Sequence, residues 1–469
     1  METSSGTGAA SRVERLQALP LKRLHVRLLG GAGVGWAMDA VDVGLISFVM
    51  AALAKTWPGI TTRELSWLGS IGFIGMALGA ACGGLLADRF GRRHVFALTL
   101  LIYGVATGAS ALAGSLTILL LFRFIVGLGL GAELPVASTL VSEFAPARIR
   151  GRMVVVLEAF WAVGWFAAAL IGYLVVANAN NGWRWGLAIG AVPALWAVIV
   201  RLHLPESVHF LERSGRAAAA DRVVRAFERS PSFARGPAPR ITDRSDHGHC
   251  LPPSTPDGGA TPPTAAQRLR TLFHRDYRQR SVGLWGIWFL VNFAYYGAFI
   301  WLPTLLVSRG IPLSRSFEYT LIITAAQIPG YAVAAWLIER WGRRPTLSLF
   351  LCGSAASAYL FALAAVTVDA GSVAPIVTSG CLLSFFALGA WGAVYAVGPE
   401  MYPTAIRGTG TGAAAAFGRI ASIIAPLSVV WVQNAGGSWQ AVFTIFAAAY
   451  LLAAGFTFLL VERRGKALE

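Results

Sequence analysis

Glu143-Phe144-Ala145-Pro146-Ala147-Arg148-Ile149-Arg150-Gly151 returns later in the chain as Glu400-Met401-Tyr402-Pro403-Thr404-Ala405-Ile406-Arg407-Gly408. Glu, Pro, Ile, Arg and Gly keep their internal spacing, 257 positions on. Asp88-Arg89-Phe90-Gly91-Arg92-Arg93 likewise returns as Glu339-Arg340-Trp341-Gly342-Arg343-Arg344, 251 positions on. A fainter pair is Pro205-Glu206 and Glu462, the two glutamates 256 apart. One design is therefore written twice, with acid-plus-arginine clusters set between long apolar runs. Two matching membrane halves with charged loops on one side are the layout of a secondary transporter.

Composition agrees. Apolar residues make up 56% of the chain and charged residues only 13%, which places it among membrane proteins. Twelve apolar runs are long enough to span a bilayer, near 28–53, 65–87, 95–114, 116–140, 152–177, 183–204, 281–307, 317–338, 346–367, 372–398, 408–433 and 437–461. The first is too long for a signal-peptide core and no small-residue cleavage site follows it, so it counts as a span. The expected fold is all-α and integral to the membrane: twelve transmembrane helices in two pseudo-symmetric six-helix bundles. The boundaries are a tail at 1–27, bundles at 28–204 and 281–461, a linker at 205–280 and a tail at 462–469.

Arginine sets the orientation. Arg12, Arg15, Lys22, Arg23, Arg27, Arg89, Arg92, Arg93, Arg148, Arg150, Arg152, the stretch from Arg213 to Arg280, Arg340, Arg343, Arg344 and Arg407 all fall on one side. The other side holds only Lys55, Arg63, Arg184, Arg309 and Arg315. The basic side is expected to face the cytoplasm, with both termini, in a bacterial inner membrane. This distribution also accounts for the net charge of +16 and argues against nucleic acid as a partner. The four cysteines form no disulfide framework or CxxC. His247, His249 and Cys250 could mark a metal site, but their Pro-, Gly- and Ser-rich setting reads as a linker without fixed structure, as does Leu251 to Thr264. Ala217 to Arg229 reads as a short amphipathic helix on the inner membrane surface.

Within the spans, Gly72, Gly75, Gly79 and Gly83, then Gly127, Gly129 and Gly131, then Gly408, Gly410 and Gly412 are spaced for close helix packing. The buried charges are more informative. A charged side chain at the bilayer centre costs about 2.5–3.5 kcal/mol on insertion scales, so each needs a partner or a task. Asp39 and Asp42 share a face of the first span, three residues apart. Arg123 lies in the fourth, Glu158 in the fifth with Trp161 and Trp165 on its face, and Arg419 in the eleventh. One reading is an ion-pair network that only holds helices. The other is a proton-coupled substrate site, because a carboxylate held between a second carboxylate and a guanidinium can load and release a proton near neutral pH.

Gly84-Leu85-Leu86-Ala87-Asp88-Arg89-Phe90-Gly91-Arg92-Arg93 resembles the loop signature of the major facilitator superfamily. Arg123 with Gly127, Gly129 and Gly131, Pro205-Glu206-Ser207, Pro399-Glu400-Met401-Tyr402-Pro403-Thr404 and Glu462-Arg463-Arg464-Gly465 resemble its sugar-porter branch. That resemblance implies proton coupling through Asp42 and Arg123. The substrate positions depart from it. Glu158 stands where sugar porters carry Gln, and Trp285-Gly286 replaces their paired Gln, while Tyr295-Tyr296 keeps the tyrosine pair. What remains is aromatic: Trp161, Trp165, Trp288, Tyr295, Tyr296, Trp391 and Tyr395. Gly35 to Phe48 is most similar to bacterial niacin permeases, and Arg419 sits where organic-anion members carry a cation. The resemblance implies proton-coupled import of nicotinate or a close aromatic monocarboxylate. Arg419 would take the carboxylate, the aromatics the ring, and Asn292 or Gln327 a ring nitrogen; Glu158 would be protonated, paired or serve a protonated ring nitrogen. Alternatives are a sugar or other organic-ion transporter, a drug:proton antiporter, disfavoured by the lack of Gly-Pro in the fifth span, and a non-transporting sensor. No enzyme motif, cofactor or metal is implied; the expected partners are substrate, proton and lipid, for a monomer. Asp39 is expected to share the proton work. The repeated clusters, Asp88, Arg89, Gly91, Arg92, Glu143, Arg150, Glu339, Arg340, Gly342, Arg343, Glu400 and Arg407, are expected to act as latches when the inner side is closed, Asp88 lying close to cytoplasmic arginines, Glu143 reaching Arg340 or its neighbours and Glu400 reaching Arg89 or its neighbours.

Overall fold

The computed structural model describes residues 11–146, 149–233, 265–367 and 373–462. The side chains of Asp88 and Arg150, the His247, His249 and Cys250 group, the 251–264 tract and the tail after Glu462 lie outside the described residues. A short helix α1 (Arg12–Gln17) precedes the first half. That half contains α2 (Arg23–Thr56), α3 (Thr62–Phe90), α4 (Arg92–Ser110), α5 (Leu116–Phe144), α6 (Arg150–Ile171) with a π turn at Gly172–Val176, and the pair α7 (Gly182–Ile189) and α8 (Val192–His203). Between the halves lie α9 (Val208–Arg213), α10 (Ala217–Arg229) and α11 (Ala265–Leu272). The second half contains α12 (Arg278–Ser308), the pair α13 (Leu313–Ala325) and α14 (Gln327–Trp341), α15 (Arg343–Thr367), α16 (Ala374–Val397), α17 (Thr404–Asn434) and α18 (Trp439–Phe456).

Twelve segments therefore cross, six to a half. Eleven are long and apolar enough to do so by composition, and α4 is diluted by Arg92-Arg93-His94 at its start. The sixth and eighth spans, expected as continuous runs, are each two helices. Their breaks fall at Gly190–Ala191 and Ala326, just before Pro193 and Pro329, each of which lacks the N–H to bond the carbonyl four residues back, at Ile189 and Ala325, and crowds it with its ring.

The repeats become matching clamps. Gly91 ends α3 at φ 96° and Gly342 ends α14 at φ 102°, a region open to glycine and strained for other residues. Beyond each glycine a helix starts, and a distant glutamate caps it. Glu206 accepts from the Arg93 backbone N–H at 3.2 Å and meets His94 at 3.0 Å. Glu462 accepts from the Arg343 and Arg344 N–H groups at 3.3 and 2.8 Å. Each carboxylate neutralises donors that the first turn leaves unpaired. A Cβ on Gly91 would lie 2.6 Å from Glu206 Oε2 and one on Gly342 3.0 Å from Glu462, so both positions need glycine twice over.

Small residues bring α3 and α5 into backbone contact. Cβ atoms on Gly75 and Gly79 would strike the carbonyls of Phe124 and Leu128, and those on Gly127 and Gly131 would strike the carbonyls of Gly72 and Met76. A Cβ on Gly83 would lie 2.6 Å from Ala132 Cβ. The third glycine set behaves differently. Gly410 packs on the Tyr402 ring, while Gly408 and Gly412 meet nothing and line an open cleft with Trp285.

Helix α10 spans the expected residues, but its apolar face does not lie on lipid. Phe227 stacks on Phe144 at 4.9 Å and meets His25 at 4.9 Å, so the first bundle covers that face. Helix α1 then docks on it through Arg12–Asp221 (3.0 Å), Arg12–Glu212 (3.3 Å) and Arg15–Glu228 (2.8 Å).

The halves meet most closely at the end away from the arginine loops. Phe48 of α2 packs edge-on against Phe317 of α13 at 4.9 Å, and a Cβ on Gly69 of α3 would sit 3.3 Å from Ile300 and Pro426.

Candidate substrate and proton site

Between the halves, near mid-length of the helices, lies a small cavity. Its walls come from both repeats: Trp36 of α2, Glu158 and Trp161 of α6, Trp288, Asn292 and Tyr296 of α12, Tyr331 of α14, Trp391 and Tyr395 of α16, and Arg419 of α17. The rings interlock. Trp288 meets Tyr395 edge-on at 5.1 Å, Trp391 stacks on Tyr395 at 5.8 Å, and Trp36 meets Trp161 at 5.0 Å. Two ionisable groups face this aromatic box. Arg419 lies beside Tyr296, and its Nη1 is buried without a hydrogen-bond partner. Glu158 is on the opposite half, and no ion pair joins the two.

Of the residues expected to bind substrate, Glu158, Trp161, Asn292, Tyr296, Trp391, Tyr395 and Arg419 line the cavity. Trp165, Tyr295 and Gln327 do not. Tyr295 and Tyr296 are adjacent on a helix and point about 100° apart, so only one can face inward. Tyr295 turns to Phe299 at 4.7 Å and to Trp165 at 5.8 Å, and Trp165 packs across the two halves against both. Gln327 is fully buried at the break before α14, its amide atoms unpartnered. Asn292 gives one amide hydrogen to the Trp288 carbonyl at 2.7 Å and accepts from Ser422 at 2.9 Å, which fixes its orientation and leaves one N–H. Trp36 and Tyr331 went unread: Trp36 lies three residues before Asp39, and Tyr331 one helical turn after Gln327, spacings that put them on the same faces.

A second group of charges lies behind the cavity. Asp42 and Arg123 form a buried, two-point ion pair, with Arg123 Nη2 on Asp42 Oδ2 and Nη1 to Oδ1 at 3.3 Å. Thr107 of α4 donates to Asp42 Oδ1 at 2.7 Å. Asp39 takes no part in that pair. Its neighbours are Tyr103 and Glu133, and Glu133 was absent from the residues singled out in the sequence.

At the arginine-rich end the latch residues pair within their own halves. Arg92 meets Glu143 at 3.5 Å and Arg343 meets Glu400 at 2.9 Å. The expected crossing of Glu143 to the Arg340 region, and of Glu400 to the Arg89 region, gives way to these repeat-equivalent pairs because each arginine starts a helix packed beside its own glutamate. Arg340 lies over the Trp336 ring at 4.9 Å, Arg89 over Phe90 at 5.5 Å, and Arg407 donates to the Tyr402 carbonyl at 3.3 Å. Glu339 does cross, to Arg152 at 3.0 Å.

Residues 34–469 match the sugar (and other) transporter family. The chain belongs to that family. It is 45% identical to the "Niacin transporter NiaP" of Acinetobacter baylyi over 97% of this chain and 98% of that one. It is 43% identical to the "Putative niacin/nicotinamide transporter NiaP" of Bacillus subtilis over 91% and 93%. Among solved structures, the xylose transporter XylE from E. coli in a partially occluded inward-open conformation aligns with a TM-score of 0.72 at 20% identity, covering 95% of this chain and 99% of the other. The protein is a multi-pass membrane transporter of the major facilitator superfamily, not an enzyme, and it moves a small molecule.

Proposed function

We propose that this transporter imports nicotinate, or a closely related aromatic monocarboxylate, together with protons, by alternating access across a bacterial inner membrane with both termini in the cytoplasm. The observation that carries the reading is the aromatic box holding one guanidinium with an unpartnered nitrogen. Arg419 would take the carboxylate through charge-assisted hydrogen bonds. Trp391, Tyr395 and Tyr296 would hold the ring. Glu158 and the remaining Asn292 N–H stand on opposite sides and suit the two forms of a pyridine nitrogen: Glu158 for the protonated ring, Asn292 for the neutral one. The niacin names of two relatives above 40% identity support the same substrate.

The coupling residue in this reading is Asp42. While ionised it is tied to Arg123 and so joins α2 to α5. Protonation removes the charge from that joint, and the two halves can then rock about the cavity. The paired clusters at Arg92–Glu143 and Arg343–Glu400 brace each half, and Arg152–Glu339 acts as a latch between them.

The test is uptake of labelled nicotinate by the purified protein in vesicles under an imposed pH gradient, competed with nicotinamide, benzoate and hexoses. Nicotinate and benzoate should compete, and glucose and xylose should not. Transport of either sugar at a rate comparable with nicotinate would sink the proposal.

A further inference from the structure

One helix turn from the Asp42–Arg123 pair, towards the arginine-rich end, the same helices build a second arrangement. On α2, Asp39 lies three residues before Asp42. On α4, Tyr103 lies four residues before Thr107. On α5, Glu133 lies ten residues beyond Arg123, and α5 runs back towards the arginine loops. The outer step is therefore Asp42, Thr107 and Arg123, and the inner step is Asp39, Tyr103 and Glu133. The two differ in charge. The outer carboxylate has a guanidinium, whereas the inner step has two carboxyls and a phenol.

Burial makes that difference matter. Asp39, Glu133 and Tyr103 are 1%, 0% and 0% exposed. Both oxygens of each carboxyl and the Tyr103 hydroxyl are buried without a hydrogen-bond partner, and Glu133 and Tyr103 are the polar side chains beside Asp39. Phe96 and Gly35 close the site, where a Cβ on Gly35 would sit 2.8 Å from the Phe96 ring and 2.9 Å from Glu133 Oε1. Two facing carboxylates are not both ionised in such surroundings, because near-complete burial leaves their repulsion unscreened by solvent. One proton between them, with the Tyr103 O–H donating to the remaining negative charge, satisfies every group. The charged groups that also bear on Asp39 are Asp42 on its own helix, which forms the outer step, and Arg419 of α17 from across the cavity.

We propose that Asp39 and Glu133 share a proton and form a second proton-carrying step, which takes the proton released by Asp42 and passes it towards the arginine-rich end. At rest the pair holds one proton and one negative charge. A proton leaving the Asp42 carboxyl bonds to the free carboxylate oxygen, so the pair becomes neutral and Asp42 returns to its ion pair with Arg123. Loss of one proton from the pair towards the arginine-rich end restores the resting state. The step rests on the proton-coupled reading above and adds Glu133 to it.

Two measurements on the full-length protein test it. In the substrate-free protein, infrared spectra at neutral pH should show a buried carboxylic-acid C=O band. Glu133→Gln and Asp39→Asn should each shift or remove it; Asp42→Asn should leave it, and Glu158→Gln separates any contribution from the cavity. This readout needs no substrate, so it stands apart from the choice of nicotinate. In vesicles, Glu133→Gln should lower nicotinate accumulation under a pH gradient by roughly tenfold or more while gradient-free nicotinate exchange stays within roughly threefold, and adding Asp39→Asn should cost nothing further, as for residues acting as a unit. A band that neither single substitution moves, or full accumulation by Glu133→Gln, overturns the shared proton. Loss of accumulation in Asp42→Asn alone would then leave proton coupling in place without the relay. If Glu133→Gln does not fold, Asp39→Asn reads the same proton from the other helix.

Discussion

At Arg419 one guanidinium faces an aromatic cavity with Nη1 unpartnered, and under the proposed function it would read substrate charge at a single point. Replacing it with alanine removes hydrogen bonds to a charged group, each contributing about 1.5–3 kcal/mol. Arg419→Ala should therefore weaken nicotinate by roughly ten- to a hundredfold, at about 1.4 kcal/mol per factor of ten, and nicotinamide far less. Binding titrations with both ligands read this directly, and equal weakening would make Arg419 a structural residue. Asp42→Asn keeps the shape of the Arg123 contact but carries no proton. It should abolish accumulation against a gradient and preserve part of the exchange, measured in the same vesicles with and without a pH difference. These residues were legible in the sequence because a charge inside an apolar run stands out. Glu133 was legible by the same rule and was passed over inside the Gly131-Ala132-Glu133-Leu134-Pro135 stretch. The choice between Tyr295 and Tyr296 was not legible. It depends on the rotation of α12 against α16, which neighbouring residues in a pattern of apolar side chains do not fix.

For single elements, the α3–α5 contact has no room for side chains. Gly131→Val should force the backbones apart and destabilise the protein by about 1–3 kcal/mol or more, as overpacking does. A lower melting temperature in detergent than that of Gly412→Val would check it, since Gly412 faces open space. The docking of α1 on α10 carries a pH dependence. The Arg12 hydrogen bond holds the Asp221 carboxyl below its usual range. A depressed folded-state value means the contact contributes above the ordinary carboxylate range and is lost as pH falls through the lower folded value. Protease cleavage at Arg12 and Arg15 should thus speed up on acidification well below neutral, and Asp221→Asn should make cleavage fast at neutral pH as well. The twelve spans were legible from apolar length alone. The breaks at Gly190–Ala191 and Ala326 were not, because a helix pair on one axis keeps the hydropathy of a single run. The position of α10 was misread for a related reason: an amphipathic face shows that something covers it, and the sequence does not say whether that is lipid or Phe144.

Across the whole molecule, the repeat was the strongest signal and foretold two bundles. It did not foretell that the charged clusters would close within each half. Arg152–Glu339 is the crossing pair described here, and it is 73% and 63% exposed, so it contributes at most about 1 kcal/mol. Arg152→Glu should shift the transport rate by roughly twofold and Glu339→Arg added to it should restore the rate, as expected of a weak exposed pair. The clamps have a consequence for how the chain is made. Glu206 follows the helix it caps within the first half, so that bundle can seal while the ribosome is still translating the second. Glu462 comes after the last helix, and the donors of Arg343 and Arg344 wait for it until the whole second half has been translated. The two halves thus mature on different schedules, and a chain cut short at Val461 would leave the membrane insertion machinery with one finished bundle and one that cannot close.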